Sequence, residues 1–281
     1  MITDLGCLAL LIVFSGCNFV GQERLTGRDV RLFKDTPAWD VALAIRDHDT
    51  AEVRKLLEGK PKSLVDYREK YFGQSLLNWA VYRDNFNSAA ILVELGADPN
   101  LKSNDSTSAI IHAADKNETT YLKLLLKHGG DPNAVADIDK PQDLRTPLVA
   151  AAFKNLENVK ILIAAGANPG YVHRTKRGNI GGENIQSALI YAFRGNKIDI
   201  VRYLLIDVGV DFDYVFNTTL EGKPLSILTY LRDMPFPLDS EEYKTKMEIV
   251  DFLKSHGLDY WKEPIPERYK KNYDREYLEK Y

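Results

Sequence analysis

The sequence predicts an all-α solenoid of about six helix-turn-helix units with hairpin loops between them, followed by a C-terminal helix. Three observations support this architecture. A short glycine motif recurs along the chain, an apolar run with helical spacing precedes each copy, and a second run that begins with Ser or Thr lies upstream of most copies. Such self-similarity is typical of repeat proteins, in which neighbouring units bury one another's apolar faces.

The glycine motif marks the end of the second helix in each unit. Leu95–Asn100 reads LGADPN, and His128–Asn133 repeats it 33 residues later as HGGDPN. A glycine directly after a helix supplies a left-handed cap that other residues adopt only with strain. We therefore expect left-handed caps at five glycines, which are Gly96, Gly129, Gly166, Gly209 and Gly257.

A hydroxyl residue begins the first helix of each unit. The clearest copy is Thr146–Ala152, which reads TPLVAAA, and weaker copies begin at Ser75, Ser108 and Ser187. Ser and Thr side chains cap the free N–H groups of a helix, and proline fits the first turn. The alanines let this helix pack closely against its neighbours.

This two-part unit resembles the ankyrin repeat, whose signature is T-P-L-H-x-A followed by a second helix and a glycine. The resemblance covers residues 38–260, from a degenerate unit at 43–57 to a sixth unit at 224–257 with an insertion around Met234. Atypical end units are expected, because each must face water on one side.

A short apolar stretch lies near the start of the chain. Residues 8–14 are apolar and Ser15-Gly16-Cys17 follows. A membrane-spanning helix needs about 20 apolar residues, so no such helix is predicted. The stretch suits the core of a secretory signal, and with Cys17 it resembles the lipobox of bacterial lipoproteins. The alternative is a buried strand or the start of a helix.

The lipobox resemblance implies a lipid anchor on Cys17 and a location in the bacterial cell envelope, facing the periplasm. Asn18, where Asp would imply inner-membrane retention, favours the outer membrane. The predicted organisation is a signal peptide at 1–16, a lipidated cysteine and linker at 17–37, the repeat domain at 38–260 and a tyrosine-striped helical tail at 261–281. Because Cys7 leaves with the signal, the mature domain has no free thiol, which suits an oxidising compartment.

Composition and motifs exclude several function classes. The 37 basic and 40 acidic residues nearly balance, so counterion-driven binding to nucleic acid is not expected. The five histidines are dispersed without metal-ligand spacing, and no nucleophile elbow or phosphate loop occurs. We therefore predict a protein that is not an enzyme, with no metal, no cofactor and no small-molecule substrate. An unrecognised active site would have to use His112 or Glu118.

The resemblance implies that a protein partner binds the concave face formed by the first helices and the hairpin tips. Tyrosine, tryptophan and arginine are enriched at interface hot spots. The predicted partner-binding residues on the first helices are Trp79, Tyr82, Arg83, His112, Lys116, Phe153, Lys154, Tyr191 and Arg194. The alternative is that neighbouring hairpins cover these side chains.

Two long linkers interrupt the repeat spacing. Residues 136–143 are acidic, whereas residues 171–182 are basic and contain glycine. Insertions in solenoids collect on one face, often the binding face, so Arg174, Lys176 and Arg177 are also predicted to contact the partner. The alternative is a pair of tolerated surface loops, since loop length costs little entropy.

The C-terminal tail carries a tyrosine every four residues, at Tyr269, Tyr273, Tyr277 and Tyr281. On one helix these side chains form a single stripe. One interpretation is a capping helix that folds back over the sixth unit. The other is a helix that binds a partner or a membrane surface, although its mixed charge argues against anionic lipid.

A lipid-anchored ankyrin array resembles the immunity lipoproteins encoded beside secreted antibacterial effectors, including phospholipases of the type VI secretion system. This resemblance implies one protein partner, a secreted lipase effector, which the chain binds and neutralises by occlusion. The alternative function is a periplasmic scaffold or stress-protection ankyrin protein that supports an envelope enzyme.

Overall fold

A computed structural model describes residues 25–135, 146–176, 183–213, 217–218 and 224–281. The predicted signal peptide, Cys17 and Arg177 lie outside these ranges.

The helices are α1 (Trp39–Arg46), α2 (Thr50–Leu57), α3 (Lys62–Val65), α4 (Leu76–Tyr82), α5 (Phe86–Glu94), α6 (Ala109–Ala114), α7 (Thr120–Lys127), α8 (Pro147–Ala152), α9 (Leu156–Ala164), α10 (Ala188–Arg194), α11 (Ile198–Arg202), α12 (Ile227–Arg232), α13 (Glu241–Ser255), α14 (Glu267–Asn272) and α15 (Arg275–Lys280). Strands β1 (His173–Lys176) and β2 (Glu183–Gln186) form one antiparallel hairpin, and β3 (Asn217–Thr218) and β4 (Pro224–Leu225) form another.

Within these ranges twelve of the helices follow one another as six consecutive pairs, in line with the predicted repeat. A short turn joins the two helices in each of the first five pairs, whereas residues 233–240 separate the helices of the sixth. The pairs are α1–α2, α4–α5, α6–α7, α8–α9, α10–α11 and α12–α13. First helices pack in a row, with α6 between α4 and α8 and with α10 on the far side of α8. The second helices form another layer, in which α5 contacts α2 and α7. No helix in the described part of the chain is both long and apolar enough to cross a membrane.

The five predicted cap glycines are all left-handed. Their φ angles are 87° at Gly96, 87° at Gly129, 91° at Gly166, 73° at Gly209 and 86° at Gly257. The predicted left-handed caps are therefore confirmed. In units two, three, four and six they follow the second helix directly, and in unit five a π-helical segment, Tyr203–Asp207, continues α11 toward Gly209.

Hydroxyl caps begin most of the first helices. Ser75 accepts a hydrogen bond from the Asn78 N–H at 3.0 Å, and Thr146 accepts one from the Val149 N–H at 3.2 Å. Ser108 does not cap α6 in this way. The main-chain oxygen of Pro99 instead accepts a hydrogen bond from the Ile110 N–H at 3.2 Å. The preceding hairpin therefore supplies an acceptor for one N–H group in the first turn of α6.

Asparagine side chains link successive hairpins in the middle of the array. Asn100 accepts from the Asp131 N–H at 2.8 Å and donates to the Gly129 oxygen at 2.9 Å. Asn133 does the same one unit later, accepting from the Asn168 N–H at 2.7 Å and donating to the Gly166 oxygen at 2.8 Å. The equivalent position in the fourth unit is Gly170, which has no side chain to continue this asparagine ladder.

Residues 25–37 do not form the linker that the sequence predicts. A 3-10 helix at Val30–Phe33 places Leu32 and Phe33 in the hydrophobic core. The Phe33 ring lies 5.3 Å from the Trp79 ring, centroid to centroid, in an edge-on arrangement. The segment therefore covers part of the second unit.

The tail is two short helices, so the prediction of one continuous helix is wrong. Tyr273 is extended between α14 and α15, and the Asp274 carboxylate caps α15 by accepting from the Tyr277 N–H at 2.8 Å. The tyrosine stripe nevertheless forms, because the ring centroids of Tyr273 and Tyr277 lie 4.4 Å apart and those of Tyr277 and Tyr281 lie 5.4 Å apart. The tail folds back over the sixth unit.

Two buried cations of the sixth unit hold the tail. The Arg232 guanidinium donates to the main-chain oxygens of Tyr281, Tyr260 and Glu263. The Lys246 ammonium donates to the Met234 oxygen at 3.1 Å and lies 3.9 Å from the centroid of the Tyr281 ring. Both cations therefore donate hydrogen bonds to main-chain oxygens and lie over aromatic rings.

The stability of the chain should depend on pH through Lys246. Burial, with a smaller effect of the nearby Arg232 charge, lowers the pKa of Lys246 from 10.5 to about 7. Because the folded-state pKa is lowered, the unfolded chain binds more protons between these two values. We expect the free energy of unfolding to rise with pH from about 7 to about 10, by up to about 1.4 kcal/mol per pH unit. Urea denaturation at a series of pH values would measure the slope.

The variant Lys246→Met should remove this slope, whereas Lys254→Met should keep it, because Lys254 is exposed on the same helix. Burial raises the pKa of Tyr260 and Tyr281, so those groups oppose the trend only above the range of the test. An unchanged slope in the Lys246→Met variant would assign the pH dependence to another group.

Candidate protein-binding surface

Side chains from successive first helices meet along one side of the array. We call this set the first-helix surface, and its members are Tyr82, His112, Lys116, Phe153, Lys154 and Tyr191. The ring centroids of Tyr82 and His112 lie 5.2 Å apart, and those of Phe153 and Tyr191 lie 6.4 Å apart. The structure thus brings together predicted residues from four consecutive units.

A shallow cavity of about 280 Å³ lies at the end of the first-helix surface that the second, third and fourth units form. It is lined by Arg28, Tyr82, Asp84, His112, Asp115, Lys116, Asn117, Glu118 and Lys154. The lining is mostly polar and charged. Its position shows that the second, third and fourth units contribute to one depression.

Charges of opposite sign alternate across this cavity. Lys116 pairs with Asp84, which also lies 3.7 Å from Arg28, and Lys154 pairs with Asp115 at 2.9 Å. The Arg28 and Asp84 side chains are each 58% exposed, and an exposed ion pair contributes only about 0–1 kcal/mol to stability. That pair can therefore exchange its partner for a charge on another protein at small cost, whereas the Lys116 side chain is only 14% exposed.

The aromatic end of the first-helix surface is more exposed. The Phe153 side chain is 43% exposed, and the half-buried Tyr191 lies beside it. The Arg194 guanidinium lies 5.3 Å from the centroid of the Tyr191 ring. Gly195 permits this arrangement, since a Cβ atom there would lie 2.2 Å from the Phe153 oxygen.

Comparison with known proteins supports the repeat assignment. The family model "Ankyrin repeats (3 copies)" matches residues 95–173. A crystal structure of an ankyrin repeat domain from Acinetobacter baumannii aligns with a TM-score of 0.56 and 25% identity, covering 74% of this chain and 94% of that one. The chain has the ankyrin-repeat fold.

A curated relative is Protein PhlB of Serratia liquefaciens. It is 28% identical over 150 residues, which is 53% of this chain. The match spans 63% of the length of PhlB.

Ankyrin repeats are protein-interaction modules and are generally not catalytic, so they indicate that this chain binds a protein. Across the described ranges, no group of three His, Cys, Asp or Glu side chains is placed to hold a metal ion.

Trp79 is not an exposed contact residue of the ankyrin array, and that prediction is wrong. Its side chain is fully buried. Phe33 covers one side of the indole, and the Arg83 guanidinium lies 4.8 Å from the centroid of its ring. Arg83 also donates to the Arg28 main-chain oxygen, so both residues are engaged inside the chain.

The remaining predicted residues lie on a hairpin between the fourth and fifth ankyrin units. Arg174 is exposed in β1, opposite Ile185, and Lys176 ends the same strand opposite Glu183. They belong to a different element from the first-helix surface and remain predictions.

An aromatic pair that was not predicted from the sequence lies on the hairpin between the first two ankyrin units. Tyr71 and Phe72 are exposed at its tip. The sequence held a signal, because these two adjacent aromatic residues stand directly before Gly73 in a turn. This hairpin belongs neither to the first helices nor to the two longest linkers, which supplied the predicted partner-binding residues.

Proposed function

We propose that this chain binds one protein partner through the first-helix surface. We further propose that the partner is a secreted antibacterial effector of the phospholipase type, which the chain neutralises by covering its active-site entrance. One observation supports the proposal most strongly: aromatic and charged side chains from four consecutive ankyrin units lie next to one another and form one surface.

The chemistry of this surface suits protein recognition. Phe153 and Tyr191 offer aromatic area, and aromatic residues are common among interface hot spots. The alternating charges around Asp84 and Asp115 can set the orientation of a charged partner and increase its association rate. A broad, shallow surface fits the occlusion of an entrance better than the enclosure of a small molecule.

The proposed location supports the proposed partner. The lipobox resemblance at Cys17 favours an anchor in the cell envelope, and an effector that attacks lipids must act at a membrane. An inhibitor tethered there meets such an effector at its site of action. Stable anchoring by lipid chains requires no membrane-spanning helix.

The first-helix surface can be tested with the double variant Phe153→Ala/Tyr191→Ala. We expect its affinity for the effector encoded beside the gene to fall at least about 30-fold, since a single hot-spot truncation already costs about 2 kcal/mol or more. Isothermal titration calorimetry would measure the change. The control is Trp261→Ala, which removes an aromatic side chain that is 49% exposed after the sixth unit and outside the first-helix surface. Equal affinities of the double variant and the control would exclude this surface.

The biological role can be tested by expressing the chain in a susceptible bacterium that is challenged with the effector. Survival with the wild-type chain, and death with the double variant, would support inhibition. Death in both cases would reject the immunity function. Affinity capture that recovered a resident envelope enzyme at equal stoichiometry would favour the scaffold instead.

A further inference from the structure

The hairpin between the first two units presents two aromatic rings to solvent. Tyr71 is 51% exposed and Phe72 is 38% exposed. We call residues 68–74 the aromatic finger. An isolated bridge between Arg68 and Ser75 closes its base. Tyrosine and phenylalanine are enriched at protein–protein interfaces, so two adjacent exposed rings are candidates for contact with a partner.

A buried carboxylate fixes the backbone of the aromatic finger. Glu69 is almost completely buried, and its side chain accepts hydrogen bonds from three main-chain N–H groups. The donors are Tyr71 at 2.6 Å, Phe72 at 2.9 Å and Gln74 at 2.8 Å. Because every bond goes to the main chain, the finger keeps its shape without using the two rings.

The next hairpin holds the aromatic finger from the side. The Asn104 side chain donates to the Tyr71 oxygen at 3.1 Å, and the Asn104 N–H donates to the Phe72 oxygen at 2.7 Å. Gly73 has a φ of 67°, and a Cβ atom there would lie 2.4 Å from Asn104. The tip is therefore rigid before any partner binds.

The outer face of the aromatic finger is positively charged. The Lys70 ammonium lies 5.1 Å from the centroid of the Tyr71 ring, and the exposed Arg68 donates to the Gly73 oxygen at 3.0 Å. The negative charge of Glu69 is turned inward toward the backbone. The finger thus combines two rings and two cations.

The base of the aromatic finger adjoins the first-helix surface. A Cβ atom on Gly27 would lie 3.0 Å from the Gln74 side-chain nitrogen and 3.5 Å from the Tyr82 ring. Gln74 and Tyr82 therefore flank the same N-terminal segment.

We infer that the aromatic finger inserts into an apolar cleft on the protein partner, with carboxylates at the rim of the cleft facing Lys70 and Arg68. This inference rests on the proposed binding of a protein. A rigid tip suits a cleft of fixed shape, because less conformational freedom is lost on binding. The ankyrin repeats indicate a protein partner, so a cleft on a protein is the proposed occupant and a membrane surface is an alternative outcome of the test.

The test uses a photoreactive phenylalanine, benzoylphenylalanine, in the full chain in its own bacterium. It is placed at position 72 in one strain and at position 86 in a matched control, because Phe72 and Phe86 are both 38% exposed. After irradiation, mass spectrometry identifies the adducts. We expect one protein adduct from position 72 that is absent from position 86. No adduct at 72, equal adducts at both positions, or a phospholipid adduct alone would overturn the inference.

The crosslinked protein is then purified without the crosslinker, and its affinity is measured for three full-length chains. We expect Phe72→Ser to bind at least about 30-fold more weakly than wild type, and Phe86→Ser to bind like wild type. Lys70→Glu should also weaken binding, and added salt should shrink that difference. Equal binding by Phe72→Ser and wild type would overturn the inference.

The outcomes for the finger and for the proposed function can be separated. An adduct with a resident envelope protein that needs Phe72 would support the finger and reject the immunity function. An effector that binds wild type and Phe72→Ser equally would reject the finger and leave the immunity function standing.

Discussion

Replacing Tyr281 with alanine is expected to lower the free energy of unfolding by about 3–5 kcal/mol, as large aromatic truncations in cores do. The Tyr281 side chain is fully buried. Its ring covers Lys246, its hydroxyl donates to the Arg232 oxygen, and its main-chain oxygen accepts from Tyr260 at 3.0 Å. Removing the ring opens a cavity beside two buried cations. Urea denaturation monitored by circular dichroism would measure the loss.

Two further variants separate the causes of this loss. Tyr281→Phe keeps the ring and removes one hydrogen bond, so we expect a cost of about 1–3 kcal/mol from the unpaired carbonyl. Tyr273→Ala removes a partly exposed tyrosine of the same stripe and should cost less than Tyr281→Ala. If all three variants unfold at the wild-type midpoint, the tail does not stabilise the sixth unit.

Replacing Trp79 with alanine should also cost about 3–5 kcal/mol, because the indole is fully buried between units and the N-terminal segment. The truncation removes the surface on which Phe33 packs. We therefore expect residues 25–37 to detach together, with faster amide hydrogen exchange at Leu32 and Phe33 than in wild type. Denaturation and hydrogen exchange together would measure both effects.

The control for Trp79 is phenylalanine. The indole N–H is buried, and no acceptor for it is present among the described residues. Trp79→Phe removes that unpaired donor while keeping most of the apolar area, so the cost should stay well below that of Trp79→Ala. Wild-type exchange rates at Phe33 in the Trp79→Ala variant would show that the segment is held by other contacts.

Local signals in the sequence predict the repeat architecture. The glycine after each second helix marks where that helix ends, because glycine adopts the left-handed backbone of the cap without steric strain. Ser75 and Thr146 likewise mark the starts of first helices through bonds to residues three positions later. These features can be predicted from the sequence because each residue and the helix end that it determines lie within one helical turn of each other.

The errors concern contacts between distant parts of the chain. The repeat motif predicts an outward position for Trp79, but Phe33 and Arg83, which come from outside this motif, cover its ring. The exposure of Phe72 depends in turn on Asn104, which belongs to another hairpin. The break in the tail has a local cause that the sequence contains, because Asp274 caps α15 by accepting a hydrogen bond from the Tyr277 N–H three residues later. A repeat pattern specifies each unit but not the segments packed upon it.

The asparagine ladder has a mechanical consequence. Asn100 and Asn133 tie neighbouring hairpins together with two bonds each, and Gly170 supplies none at the next junction. We therefore expect the array to resist bending across the second, third and fourth units and to bend more easily between the fourth and the fifth. A partner that bends the array would bend it near Phe153 and Tyr191, so the aromatic end of the first-helix surface can adjust its curvature while the charged end keeps its shape.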